Sequence, residues 1–92
     1  MEFLVQIHVR LPVDLGADAR AELLDAELRR GRELRAAGTI RSIWRVPGAI
    51  RNVGVWSVPD ADALHAAIAS LPCFPWIEAE VTPLATHPLE ES

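Results

Sequence analysis

A chain of 92 residues, 50% hydrophobic and 24% charged, is ordinary globular material with room for one core and no second domain. A net charge of −4 argues against nucleic-acid binding, which needs a basic stripe, and no run approaches the ~20 apolar residues of a membrane span. The single cysteine, Cys73, excludes an internal disulfide and fits a reducing compartment. The N-terminus lacks the basic start of a signal sequence. The expectation is one cytoplasmic domain over residues 1–92, with 83–92 as a C-terminal tail, and with spare apolar surface that favours self-association.

Residues 2–11 alternate, Phe3, Val5, Ile7, Val9 and Leu11 against Gln6, His8 and Arg10, which predicts a strand with one buried face. Pro12 ends it. A helix follows over about 17–37, with Asp14 or Asp18 as N-cap and Gly38 as its C-terminal stop. Leu23, Leu24, Leu28 and Leu34 define its apolar side, and helical spacing puts Glu27 on the edge of that stripe. Gly31 lies within the stripe, which suggests close approach by a sheet residue or a ligand.

The segment 40–58 reads as strand, Pro47-Gly48 turn, strand, and carries Trp44, Arg45, Arg51, Asn52 and Trp56. Asp60 then caps a shorter helix over about 60–71, with Leu64, Ala67, Ile68 and Leu71 on its core side. Leu71-Pro72-Cys73-Phe74-Pro75-Trp76 is a stiff turn, and 76–81 a final strand in which Ile77, Ala79 and Val81 alternate against Trp76, Glu78 and Glu80. From Thr82 onward the chain is polar and proline-broken, and no further element is expected.

The order β-α-β-β-α-β is the split-βαβ, ferredoxin-like α+β pattern: an antiparallel sheet, both helices on one face, first and third strands central. Alternation then assigns Gln6, His8 and Arg10 to the open face, together with Asn52, Gly54 and Trp56 and with Trp76, Glu78 and Glu80. The parity of 40–46 is not regular.

Several residues offer chemistry, each beside a blander reading. Glu27 is either an edge carboxylate or, desolvated by its apolar neighbours, a proton-transfer group with a raised pKa. His8 is a surface histidine or an acid/base group. Arg45 and Arg51 flank the turn and are solvated, or bind a carboxylate by bidentate hydrogen bonds. Cys73 has no basic neighbour in sequence that would make it nucleophilic. No metal-ligand spacing, phosphate-cradling glycine loop or serine elbow is present.

Phe3–Val5, Leu11-Pro12-Val13-Asp14, Gly38-Thr39, Trp44-Arg45-Val46-x-Gly48, Leu71-Pro72-x-Phe74-Pro75 and the run Glu80–Pro88 together resemble the muconolactone isomerases over almost the whole chain. The resemblance implies a ferredoxin-like subunit in a homo-oligomer, a dimer at least and a decamer in the characterised enzymes, with pockets near subunit boundaries. It implies a cofactor-free enzyme that moves a double bond in an unsaturated five-membered lactone bearing an acetate arm, in aromatic-compound catabolism. Such a 1,3-proton shift needs a base, donors for a developing oxyanion and a cation for the side-chain carboxylate.

Carried over residue by residue, Glu27 matches the family's helix glutamate as proton shuttle, and Trp44, Arg45 and Asn52 match positions that orient the ligand; Arg51 and His8 complete the substrate-binding set. The chain departs from the family where Leu24 and Leu28 replace lysines, Leu4 a histidine, and Ile50 and Val53 tyrosines. Those replacements point to a more apolar substrate. Two further readings stand beside the lactone isomerase: a non-catalytic oligomeric ligand-binding or scaffold protein, and an isomerase or cyclase acting on a larger apolar carbonyl compound in secondary metabolism.

Overall fold

Strand β1 (Glu2–Val9) is the strand on which the sheet is assembled in the computed structural model, which describes residues 1–91. Helix α1 (Ala17–Ala36), strands β2 (Ile40–Val46) and β3 (Arg51–Ser57), helix α2 (Ala61–Ala69) and strand β4 (Ile77–Leu84) follow in chain order. The sheet order is β2-β3-β1-β4 with every pairing antiparallel, so β1 and β3 are central as the split-βαβ pattern requires. The fold is α+β and ferredoxin-like.

β1 supplies Phe3, Val5, Ile7 and Val9 to the core, which Leu34 of α1, Leu64 and Ile68 of α2, and Leu71 and Cys73 of the following turn cover from one side. Each such side chain contributes roughly 1.5–3 kcal/mol on burial. Trp56 is 1% exposed and belongs to the same core.

That position corrects the expected parity of β3. The register sets Phe3 opposite Trp56, Val5 opposite Gly54 and Ile7 opposite Asn52. Directly opposed residues of an antiparallel pair share a face, so Asn52, Gly54 and Trp56 turn toward the helices. Arg51, Val53 and Val55 take the open face with Gln6 and His8. The irregular parity of β2 also has a cause: a bulge between Ile40 and Ser42 shifts the register, leaving Ile40 opposite Trp56 and Ile43 opposite Gly54.

The element ends differ from expectation in informative ways. The N-cap of α1 is Gly16, in extended conformation and with no side-chain cap; Asp18 sits in the first turn, where its charge suits the helix dipole. At the other end Gly38 takes φ 81°, as expected of the stop, with its N–H donating to the Arg35 carbonyl at 3.2 Å. Asp60 caps α2 as predicted, its Oδ1 accepting from the Ala63 N–H at 2.8 Å. Trp76 belongs to a 3-10 turn (Phe74–Trp76) rather than to the last strand. That strand instead runs on through Thr82, Pro83 and Leu84, so the tail begins later than residue 83. Pro83 is tolerated because β4 is an edge, and an edge strand has N–H groups that need no partner. A short 3-10 turn over Pro88–Glu91 follows.

Gly54 is the tightest point of the sheet: a Cβ there would lie 2.8 Å from the Ser42 carbonyl oxygen beside the bulge. Gly54→Ala should therefore cost about 1–3 kcal/mol, with the loss concentrated in β2. Denaturant unfolding measures the total, and faster amide exchange in Ile40–Val46 locates it.

Candidate functional site

Between α1, the helix-facing side of β1 and β3, and the β2–β3 hairpin lies a cleft of about 580 Å³, of the size small-molecule sites have. One helical face contributes Leu24, Glu27, Leu28 and Gly31, spaced at the three- and four-residue steps that put side chains side by side. The sheet contributes Ile7, Val9, Asn52 and Trp56, and the hairpin Ile43, Arg45 and Ile50. The walls are mainly aliphatic, with the carboxylates of Asp25 and Glu27, a guanidinium and an amide set among them. Gly31 borders this space, and no protein atom comes within 4 Å of where its Cβ would be. The approach of a sheet residue to Gly31 is thus excluded.

Glu27 is half-buried, and its Oε1 accepts a hydrogen bond from the Cys73 backbone N–H at 2.9 Å. Burial raises its pKa above the usual 4.5, while the bonds from the Cys73 N–H and thiol act in the opposite direction. The carboxyl is thereby both fixed in place and readier to hold a proton. Cys73 itself has no exposed surface, and its thiol is pushed up to about 11 by burial, by the charge of Glu27 and by the hydrogen bond between them. Such a thiol is no nucleophile at neutral pH.

Of the residues singled out in the sequence, Glu27, Trp44, Arg45 and Asn52 line the cleft. Arg45 is exposed, with Nη1 donating to the Arg51 carbonyl at 3.3 Å, which leaves the rest of its fork free to meet an anion. Trp44 is 57% exposed and opposite Val53 in the register, so it stands at the rim rather than on the floor. His8 and Arg51 do not join this group. They lie across the sheet on the open face, paired with each other through His8 Nδ1 and Arg51 Nη2 at 3.2 Å, beside Glu78 and Glu80. The joint site of Glu27 with His8 and Arg51 is corrected by the same register that turned β3 over. Arg45 and Arg51 are successive across the hairpin but face opposite ways, so a double clamp does not form within this subunit.

One residue of the cleft, Trp56, was not among the site residues expected from the sequence, and Cys73, which anchors Glu27, was read there only for its thiol. Trp56 lines the cleft and its indole N–H has no hydrogen-bond partner; the Asn52 Oδ1 is likewise buried and unpaired. Cys73 matters through its backbone N–H, a group that side-chain chemistry does not advertise.

A family model described as muconolactone delta-isomerase matches residues 1–90. The chain belongs to the muconolactone delta-isomerase family. A muconolactone delta-isomerase of Rhodococcus opacus is 35% identical over 85 residues, covering 92% of this chain and 91% of the relative. One of Pseudomonas aeruginosa is 33% identical over 88 residues, covering 96% and 92%. A crystal structure of a muconolactone isomerase superposes with TM-score 0.88 at 38% identity, covering 96% of this chain and 92% of that one. A 5-chloro-2-hydroxyhydroquinone dehydrochlorinase from Burkholderia phenoliruptrix shares the fold, at TM-score 0.70 and 17% identity over 95% and 96% of the two chains.

Ionised, Glu27 is carried at a cost to stability. Because the Glu27 pKa is raised on folding, its protonated form favours the native state. That contribution is present below the unfolded glutamate value and is lost as pH rises through the folded one. Glu27→Gln keeps an acceptor for the Cys73 N–H and removes the charge. Its melting temperature should match the wild type in acid and equal or exceed it at mildly alkaline pH, as calorimetry across pH would show. Cys73 in the native protein should react with iodoacetamide far more slowly than in the unfolded chain at the same pH.

Proposed function

We propose that this muconolactone-isomerase family member catalyses cofactor-free isomerisation of an unsaturated lactone or related carbonyl compound, a 1,3-proton shift of the kind used in aromatic-compound catabolism. The observation that carries this reading is the Glu27 carboxylate, half-buried and held by a backbone N–H in a mainly apolar cleft with an arginine at its mouth. The Glu27 carboxylate takes a proton from the saturated carbon at the outer end of the conjugated C=C–C=O system, the γ carbon of the lactone. The C–H electron pair moves into the carbon framework, and charge develops on the carbonyl oxygen. The same carboxyl then returns the proton to the far end of the three-carbon unit, so no net proton or electron is exchanged. A pKa raised from the usual glutamate value by burial suits both halves of this shuttle. Arg45 binds an anionic arm of the substrate, and Trp44 closes the rim.

The relatives act on muconolactone by name, and muconolactone is the first substrate to test. The aliphatic wall of Leu24, Leu28, Ile43 and Ile50 favours a second reading, an isomerase or cyclase on a larger, more apolar carbonyl substrate. The two separate on specificity: a lactone with an apolar substituent in place of the acetate arm is the better substrate only under the second. We further propose that the protein works in the cytoplasm as a homo-oligomer, a dimer at least and a decamer by analogy with its family, with His8, Arg51, Glu78 and Glu80 on the sheet face open to a neighbouring subunit.

Glu27→Gln should lower kcat on muconolactone by roughly 10²–10⁴-fold, the usual contribution of a positioned acid/base group; wild-type turnover by this variant would remove Glu27 from the mechanism. Arg45→Gln should raise KM about tenfold or more, with a smaller effect on kcat.

A further inference from the structure

The floor of the cleft contains a feature that proton transfer at Glu27 does not use. Trp56 is almost wholly buried, yet its Nε1–H has no hydrogen-bond partner in the protein. Buried donors are nearly always paired, because leaving one unpaired forfeits the bonds water would have given it. Here the orphan belongs to a residue that lines the cleft. The register places Gly54 between Asn52 and Trp56 on the helix-facing side of β3, and the point where a Cβ of residue 54 would lie is 3.5 Å from Trp56 Nε1. A side chain at 54 would crowd the indole N–H and also the Ser42 carbonyl oxygen, which lies 2.8 Å from the same point, and glycine avoids both. Ile43 Cγ1 is also 3.5 Å from the same point, so an aliphatic group of the edge strand roofs the donor. Ile43 is 44% exposed and itself lines the cleft. The second unpaired polar atom of the cleft, Asn52 Oδ1, comes from the next position along the same face.

Building on the carbonyl-substrate reading of the cleft, we propose that Trp56 is a catalytic hydrogen-bond donor: its unpaired Nε1–H, reached when the Ile43 side chain gives way, binds the substrate's carbonyl oxygen and holds the negative charge that develops there. An N–H held in place by a packed core is preorganised, so it does not have to reorient as charge forms, which is the condition under which such donors act most strongly. The geometry also divides the labour of the cleft. The carboxylate that moves the proton comes from α1, and the donor that steadies the oxygen comes from the sheet floor opposite.

The probe is the saturated lactone bearing an acetate arm, which has the carbonyl but no double bond to shift. Indole N–H resonances are followed by nitrogen–proton correlation NMR during titration, Trp56 being identified by its loss in Trp56→Phe. A downfield shift of the Trp56 Hε1 at saturation, in wild type and in Glu27→Gln alike, is the expected result. In turnover, Trp56→Phe, which keeps most of the ring volume, should lose on the order of 100-fold in kcat with a smaller change in KM. A Trp56 Hε1 that stays in place at saturating lactone overturns the proposal, and so does wild-type kcat in a folded Trp56→Phe. The two readings fail separately. Loss of turnover in Glu27→Gln with an unmoved Trp56 signal sinks only the donor, whereas a shifted Trp56 signal in a protein that turns over no lactone sinks only the isomerase.

Discussion

Everything in this molecule depends on how β1 pairs with β3. With Phe3 opposite Trp56, Val5 opposite Gly54 and Ile7 opposite Asn52, one face of the central strand pair is committed to the helices. A slip of one residue would exchange every side chain between the two faces. It would put Arg51, Val53 and Val55 under the helices and expel Trp56 to the open side. The observed register is the one that buries the largest side chain of the core, and it brings Asn52 into the cleft as a consequence. Core and site are therefore set by the same choice, and the bulge at Ile40/Ser42 lets β2 follow it despite its own irregular pattern.

On that floor, α1 is tied to the turn after α2 by the hydrogen bond from the Cys73 N–H to Glu27. The turn is stiffened by Pro72 and Pro75, and Cys73 is anchored among buried neighbours. The donor is thus held by the backbone rather than by a mobile side chain. The carboxylate gains a fixed orientation and loses water, and these act in opposite directions on its pKa; loss of water is the larger. A group stabilised against wandering yet disfavoured in its charged form is suited to taking a proton and giving it back. The cost appears as native-state destabilisation when the group ionises, which is a common exchange of stability for activity.

Much of this was legible beforehand. The strict alternation of residues 2–9, the Asp60 cap and the Gly38 stop mark the elements, and the order of those elements implies the topology. Helical spacing placed Glu27 on the apolar edge of α1, which is where it lies. The facing of β3 was not legible, because Arg51-Asn52-Val53-Gly54-Val55-Trp56-Ser57 alternates valines with polar or aromatic residues, and valines look like core. Only the pairing partner on β1 decides which row is inside, and pairing is not a property of one segment. The same limit misplaced Arg51, and it set His8, rightly read as open-facing, in one site with Glu27. The anchor of Glu27 escaped for another reason: a backbone N–H 46 residues away in sequence has no side-chain signature. The extension of β4 through Pro83 escaped because a proline is read as a strand breaker, while on an edge strand it is not.

The central claim is that one carboxyl, with its pKa raised by the cleft, does the proton transfer. The most direct measurement is the pH dependence of kcat/KM on muconolactone beside the titration of the Glu27 side-chain carboxyl, followed by carbon NMR in the free protein. The base must be ionised to act, so activity should rise with pH along an acid limb. The account predicts that this limb and the Glu27 titration share one midpoint, above the ordinary glutamate value of 4.5. A Glu27 that titrates at or below that value, or an acid limb at an unrelated pH, would contradict it.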